Sequence, residues 1–231
     1  MSDRLSQLWK RGTDYLGTEH AILGGAMSWV SERNLVSAIS NAGGFGVLAC
    51  GGMSPVQLAE EIDATRAMTD KPFGVNLITL HPDLDNLVAT CAEKKVKHMV
   101  LAGGLPSGPT IAAIKAFDAK LMGFAPTVTL AKKLVRSGAD AIVIEGMEAG
   151  GHIGPVSTSV LAQEILPVVQ NVPVFVAGGI GRGEVMASYL EMGASGAQLG
   201  TRFVVAEECI AHERFKKAFI SGKARDAITS V

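Results

Sequence analysis

The chain is short of cysteine, of aromatic residues, of any excess of charge and of long apolar runs, and each shortage closes off a class of function. Its three cysteines, Cys50, Cys91 and Cys209, are odd in number and far apart. Neither a disulfide framework nor the close pairs of a zinc site is expected, no metal site is expected, and a reducing cytoplasm is the expected location. Formal net charge is -1, from 21 basic and 22 acidic residues with no basic run. That argues against nucleic acid or an anionic membrane surface as partners and favours a small neutral or weakly anionic ligand. No apolar stretch is long enough to span a bilayer, and the polar opening MSDRLSQLWKRGTDYLG lacks a signal-peptide core, so a soluble protein is expected. A dinucleotide fingerprint is also missing: the first strand runs on into GGAMSW, not into GxGxxG with an acid farther along.

What is present is apolar material in short pieces. Hydrophobic residues make up 48% of the 231, enough for one core. Eight runs rich in Val, Ile, Leu and Phe alternate with amphipathic segments: AILGGA, FGVLAC, FGVNLI, HMVLAG, KLMGFAP, DAIVIEG, VPVFVAGG and GAQLGTR. Eight such alternations in one chain of this length predict an α/β fold, the closed (β/α)8 TIM barrel, as a single domain over residues 1–231. Residues 1 to about 18 read as a lead-in helix. Ser54, Thr127 and Ser159 are candidate helix starts, and Gly138 and Gly193 candidate stops.

In such a barrel ligands meet the loops at the carboxyl ends of the strands, and those ends carry little side-chain bulk. Gly24 and Gly25, Gly51 and Gly52, Gly103 and Gly104, Gly150 and Gly151, Gly178 and Gly179, and Gly200 with Thr201 follow six of the strands, and Asn76 ends another. A large planar ligand lying close to the backbone is expected. The loops AGGIGRGE and QLGTR follow strands seven and eight, where barrels bind phosphate on backbone N–H groups. Flavin mononucleotide (FMN) suits a glycine-lined rim with one phosphate anchor. A sugar phosphate or pyridoxal phosphate satisfies the anchor alone, although no lysine stands at a strand end to form a Schiff base. His152, in EGMEAGGHIG, is the one histidine in a glycine-rich loop directly after a strand, and histidine is the side chain whose ordinary pKa suits proton transfer near neutrality, so it is the catalytic candidate. Glu145 and Glu148 beside it read as groups that orient the imidazole or hold a ring edge. Asn76 and Gln198 offer donor and acceptor to such an edge, while Met27 and Trp29 either cover a ring face or pack in the core.

The segments GGAMSWVS, NAGGFGV, DKPFGVN, EGMEAGGHIG, VFVAGGIGRGE and QLGTRFVVAEEC, in this order and spacing, resemble the nitronate monooxygenase family, formerly called 2-nitropropane dioxygenases. That family also includes flavin-dependent enoyl-ACP reductases on the same barrel. The resemblance implies an FMN-bound barrel with His152 beside the flavin and flavin contacts at Gly25, Ala26, Met27, Asn76, Gly178, Gly179, Gly200 and Thr201. It implies oxidation of an alkyl nitronate by O2 or, alternatively, NAD(P)H-dependent enoyl reduction. Ser28, Glu145 and Met147 depart from the glutamine, aspartate and phenylalanine common among the nitronate enzymes. Family members usually continue past the position of Val231, so the barrel is expected to lack the family's C-terminal segment, and a non-catalytic, flavin- or phosphate-binding truncated barrel is the third reading. The helix in ERFKKAFISG is a candidate surface for a homodimer.

Overall fold

The computed structural model describes residues 3–151 and 153–229, so the catalytic candidate His152 lies outside the described residues. Eight strands follow one another along the chain: β1 Ile22–Gly24, β2 Gly46–Ala49, β3 Phe73–Ile78, β4 His98–Ala102, β5 Lys120–Ala125, β6 Ala141–Glu145, β7 Val174–Ala177 and β8 Gly196–Leu199. All pair in parallel in the order β1-β8-β7-β6-β5-β4-β3-β2. A parallel bridge between Leu23 and Phe45 joins β1 to β2 and closes the cylinder. The eight predicted strands and the TIM barrel are therefore what forms. Helices connect them: α3 Arg33–Asn41, α4 Pro55–Met68, α5 Leu84–Glu93, α6 Gly108–Ala116, α7 Val128–Arg136, α8 Thr158–Ile165 and α9 Gly183–Glu191, with α10 Thr201–Val204 and α11 Glu213–Ser221 after the last strand.

Local chemistry explains the helix boundaries. Ser54 accepts from Gln57 N while Gln57 accepts from Ser54 N, a reciprocal cap that starts α4, and Thr127 Oγ1 accepts from Leu130 N to start α7. The start of α8 falls earlier than expected, because Ser157 and not Ser159 caps it by accepting from Val160 N. The physical reason is Glu148, whose Oε2 accepts from Thr158 N at 2.7 Å and Thr158 Oγ1 at 2.9 Å and so fixes the first turn at Thr158.

Side chains alternate along each strand. Val47, Val100, Met122, Val143, Phe175 and Ala177 join one cluster inside the barrel. Leu48, Met99 and Leu101 pack outward in one cluster, and Ile142, Ile144 and Val176 in another, beneath the helices. The lead-in segment forms two helices, α1 Asp3–Leu8 and α2 Lys10–Leu16. Trp9, Tyr15 and Leu16 belong to the interior cluster with Leu23, Phe45 and Phe175, so this segment plugs the amino end of the cylinder.

One polar group is sealed under that plug. His98 is 7% exposed, its Nε2 donates to Tyr15 O at 3.1 Å, and Lys120 Nζ donates to the same oxygen. Nδ1 has no partner among the described residues, and burial pushes the imidazole down to about 4. The unfolded chain therefore takes up a proton below about pH 6.5 that the folded chain refuses until about pH 4. Stability conferred by neutral His98 is complete above that window and declines through it on acidification, by roughly 3 kcal/mol. Urea unfolding between pH 7 and 4 is expected to show this loss in wild type and a shallower one in His98→Asn; equal losses would assign the acid sensitivity to the carboxylates alone.

Candidate active site

The carboxyl ends of the strands form the open mouth, and its inner row carries three polar side chains. Asn76 on β3 lies opposite Ala49 of β2 and Val100 of β4. It is 5% exposed, and its Nδ2 donates to Val100 O at 3.1 Å, which leaves Oδ1 for a ligand. Glu145 closes β6 opposite Ala177, and Ala177 pairs in turn with Gln198 of β8. Glu145, Ala177 and Gln198 thus form one arc. Glu145 and Gln198 are both half-buried, and neither side chain has a hydrogen-bond partner among the described residues. Burial pushes the Glu145 carboxyl up to about 7, so at neutral pH much of it is a hydrogen-bond donor.

The loop after β1 folds back on itself. Gly25 is buried, its N–H donates to Leu199 O at 2.9 Å, and a Cβ at this position would come within 3.2 Å of the Gln198 amide. Ser31 pins the loop by accepting from Met27 N and donating to Gly25 O. Ala26 and Met27 are half-buried, and Met27 Sδ lies 3.6 Å from where a Gly200 Cβ would stand, so the β1 and β8 loops meet. Trp29 does not pack in the core: it is exposed, and its ring lies against Gly52.

The loops after β6, β7 and β8 are interlocked. Gly178 and Gly179 have φ of 92° and 70°. A Cβ on Gly178 would sit 2.7 Å from Ala149 N, so the β6 loop presses on the β7 loop where only glycine fits. Glu148 reads differently from expectation. Burial raises its pKa, but the hydrogen bonds from Thr158 outweigh that and hold it below the ordinary carboxylate range, leaving it as a clamp between loop and α8. Gly151 is exposed, with φ of 84° and nothing within 4 Å of a built Cβ. Gly200 precedes α10, and Thr201 at its start is exposed. Arg202 donates to Gly181 O and ties α10 to the β7 loop. The Gly178–Gly179 turn and the start of α10 are thus joined through Arg202.

Sequence reasoning missed Arg202 and Ser31. Nothing local in LGTRF or SWVS marks them, since each acts on backbone brought near by the fold. The remaining histidines have structural contacts: His81 Nδ1 accepts from Asp83 N, His212 Nδ1 accepts from Arg214 N, and His20 packs on Trp9.

Residues 10–230 match the family model described as nitronate monooxygenase. The chain is 34% identical over 218 residues to a (3aS,4S,5R,7aS)-5-hydroxy-7a-methyl-1-oxo-octahydro-1H-indene-4-carboxyl-CoA dehydrogenase of Rhodococcus jostii (strain RHA1), covering 94% of this chain and 61% of that protein. It is 30% identical over 268 residues to a probable nitronate monooxygenase of Staphylococcus aureus (strain Newman), covering 96% of this chain and 75% of that one. Among solved structures, FabK from Thermotoga maritima superposes with a TM-score of 0.91 at 41% identity, over 94% of this chain and 70% of that chain. The glycine-walled mouth, the interlocked loops after β6, β7 and β8 and these matches agree: the chain belongs to the nitronate monooxygenase family.

Proposed function

We propose that this chain is the FMN-binding barrel of a flavin oxidoreductase that oxidises alkyl nitronates with O2, and that His152 is its catalytic residue. The observation that carries the reading is the set of three inward polar side chains, Glu145 and Gln198 on one arc and Asn76 on β3 apart from them, beside the loops after β7 and β8 that Arg202 joins. The residues present fit FMN: the Gly178 position admits no side chain, and Gly179 and Gly200 keep the neighbouring backbone bare. Bound flavin supplies the exchange of electrons between an organic substrate and oxygen or a nicotinamide.

The protein supplies the rest. Gly178, Gly179, Gly200 and Thr201 hold the phosphate through their backbone, and Gly25, Ala26 and Met27 support the ring. Gly151 leaves the backbone beside His152 open to the ligand. Asn76 Oδ1 and the Gln198 amide hydrogen-bond the ring edge. Glu145, neutral below about pH 7, donates its proton as a hydrogen bond and withholds negative charge from an anionic substrate. His152 donates to the substrate oxygens and stabilises the charge that develops there.

Enoyl reduction with NAD(P)H is the second reading, favoured by the identity to FabK, which exceeds that to the probable nitronate monooxygenase. Oxygen consumption with propionate 3-nitronate, set beside NADH oxidation with a crotonyl thioester in flavin-loaded protein, separates the two. Turnover of the nitronate alone is expected. Activity only on the thioester would exchange the readings, and a protein that gains no flavin spectrum on refolding with FMN would remove both.

The same reading takes the protein as cytoplasmic, and the three free, buried cysteines are in keeping with that. No helix among the described residues is long and apolar enough to cross a membrane. The outward Phe215 and Ile220 of α11 offer a surface for a homodimer.

A further inference from the structure

The loop between β1 and α3 is strained and yet unburied. Trp29 holds φ of 64°, a backbone region unfavourable for a bulky residue, and its side chain is 80% exposed, so packing does not offset the strain. The loop also crosses the thinnest seam of the barrel. β1 meets β2 through the single bridge Leu23–Phe45, whereas it meets β8 over three residue pairs.

Ser31 holds this loop with every polar group it has. It is 3% exposed. Its Oγ accepts from Met27 N at 3.0 Å and donates to Gly25 O at 2.9 Å. Its N–H donates to Met27 O at 2.8 Å, and its carbonyl accepts from Ala49 N at 3.0 Å. The last bond fastens the loop to the final residue of β2, at a level where β1 has already ended. The next residue, Glu32, caps α3 by accepting from Asn34 N and Leu35 N, so the fastening stands on a fixed helix start. On its outer side the loop rests on bare backbone: a Cβ on Gly52 would come within 2.8 Å of the Trp29 ring.

We infer that Ser31 is a positioning residue for the flavin: it holds Gly25, Ala26 and Met27 in the shape that supports the ring, against the strain carried by Trp29. This rests on the proposed function and adds to it a residue outside the ligand contacts. The hydroxyl acts through the loop, because it is buried and its one proton is committed to Gly25 O.

The test is FMN affinity, read by quenching of flavin fluorescence, together with amide hydrogen exchange of the protein without FMN. Ser31→Ala leaves Met27 N and Gly25 O without their partner, and is expected to weaken FMN binding at least about tenfold. The Met27 amide is expected to exchange faster in the same variant. Ser40→Ala is the matched control at the amino end of the barrel, where Ser40 is 1% exposed and its Oγ likewise donates to Pro72 O and accepts from Gly46 N. It is expected to lower Tm about as much as Ser31→Ala while FMN affinity stays within about twofold of wild type. Trp29→Gly suits the local backbone, and in that background Ser31→Ala is expected to cost less than about threefold, since the strain it resists is gone. Equal losses of FMN affinity in Ser31→Ala and Ser40→Ala, or a Ser31→Ala loss just as large in the Trp29→Gly background, overturn the inference. The flavin reading fails separately, by wild-type protein that takes up no FMN. Hydrogen exchange then decides on the lock: a Met27 amide no better protected in wild type than in Ser31→Ala overturns it, and protection lost in the variant upholds it.

Discussion

His152→Ala is expected to lower turnover of the flavin-loaded protein by about 10²–10⁴-fold, the usual contribution of a positioned proton donor or acceptor, while flavin absorbance and Tm stay as in wild type. The loop that carries the residue springs from Glu145, the last residue of β6, and its far foot is clamped at Thr158 by Glu148. Glycines on the near side, with open space around Gly150 and Gly151, let a substrate approach closely. Steady-state rates on both nitronate and NADH check the expectation. Unchanged rates in flavin-replete protein would move catalysis to Glu145 or another group and support a barrel that binds without turning over.

Gly178→Val is expected to weaken FMN binding by at least about 100-fold, near 2.7 kcal/mol, and to destabilise the fold by about 3 kcal/mol. Two effects add. A β-branched residue at φ of 92° is forced into a region that favours glycine, and its Cβ would meet Ala149 N at 2.7 Å and Glu148 C at 3.0 Å. Relief of that contact is expected to push the β6 loop away from the β7 loop. Gly181→Ala is the comparison, because a Cβ there meets nothing within 4 Å; its stability is expected to stay within about 0.5 kcal/mol of wild type. Flavin fluorescence quenching and urea unfolding measure the two quantities. Normal FMN affinity in Gly178→Val would place the phosphate away from the β7 loop.

The barrel was legible because each strand is a compact apolar run bounded by turn residues, and eight of them admit few closures. Glycine positions also read well: Gly138 and Gly193 end their helices at φ of 106° and 103°. What a local pattern does not encode is contact between distant segments. His98 reads as a strand opener, but its burial depends on Tyr15, 83 positions away. Glu148 reads as a candidate for the imidazole or the ring, but Thr158 holds it. Ser159 and Ser157 are chemically identical caps, and the choice between them is made by that same carboxylate. Of the mouth, Glu145 and Gln198 were readable beside their strands, whereas β3 runs on to Ile78 past Asn76, which had been expected to end it, and the exposure and backbone of Trp29 emerge only when the β1 loop closes on Ser31.

The plug formed by Trp9, Tyr15 and Leu16 makes the cylinder a blind vessel. With the floor stopped and the interior filled, a ligand reaches the mouth only from the carboxyl side of the strands, so any two ligands of the mouth share one doorway.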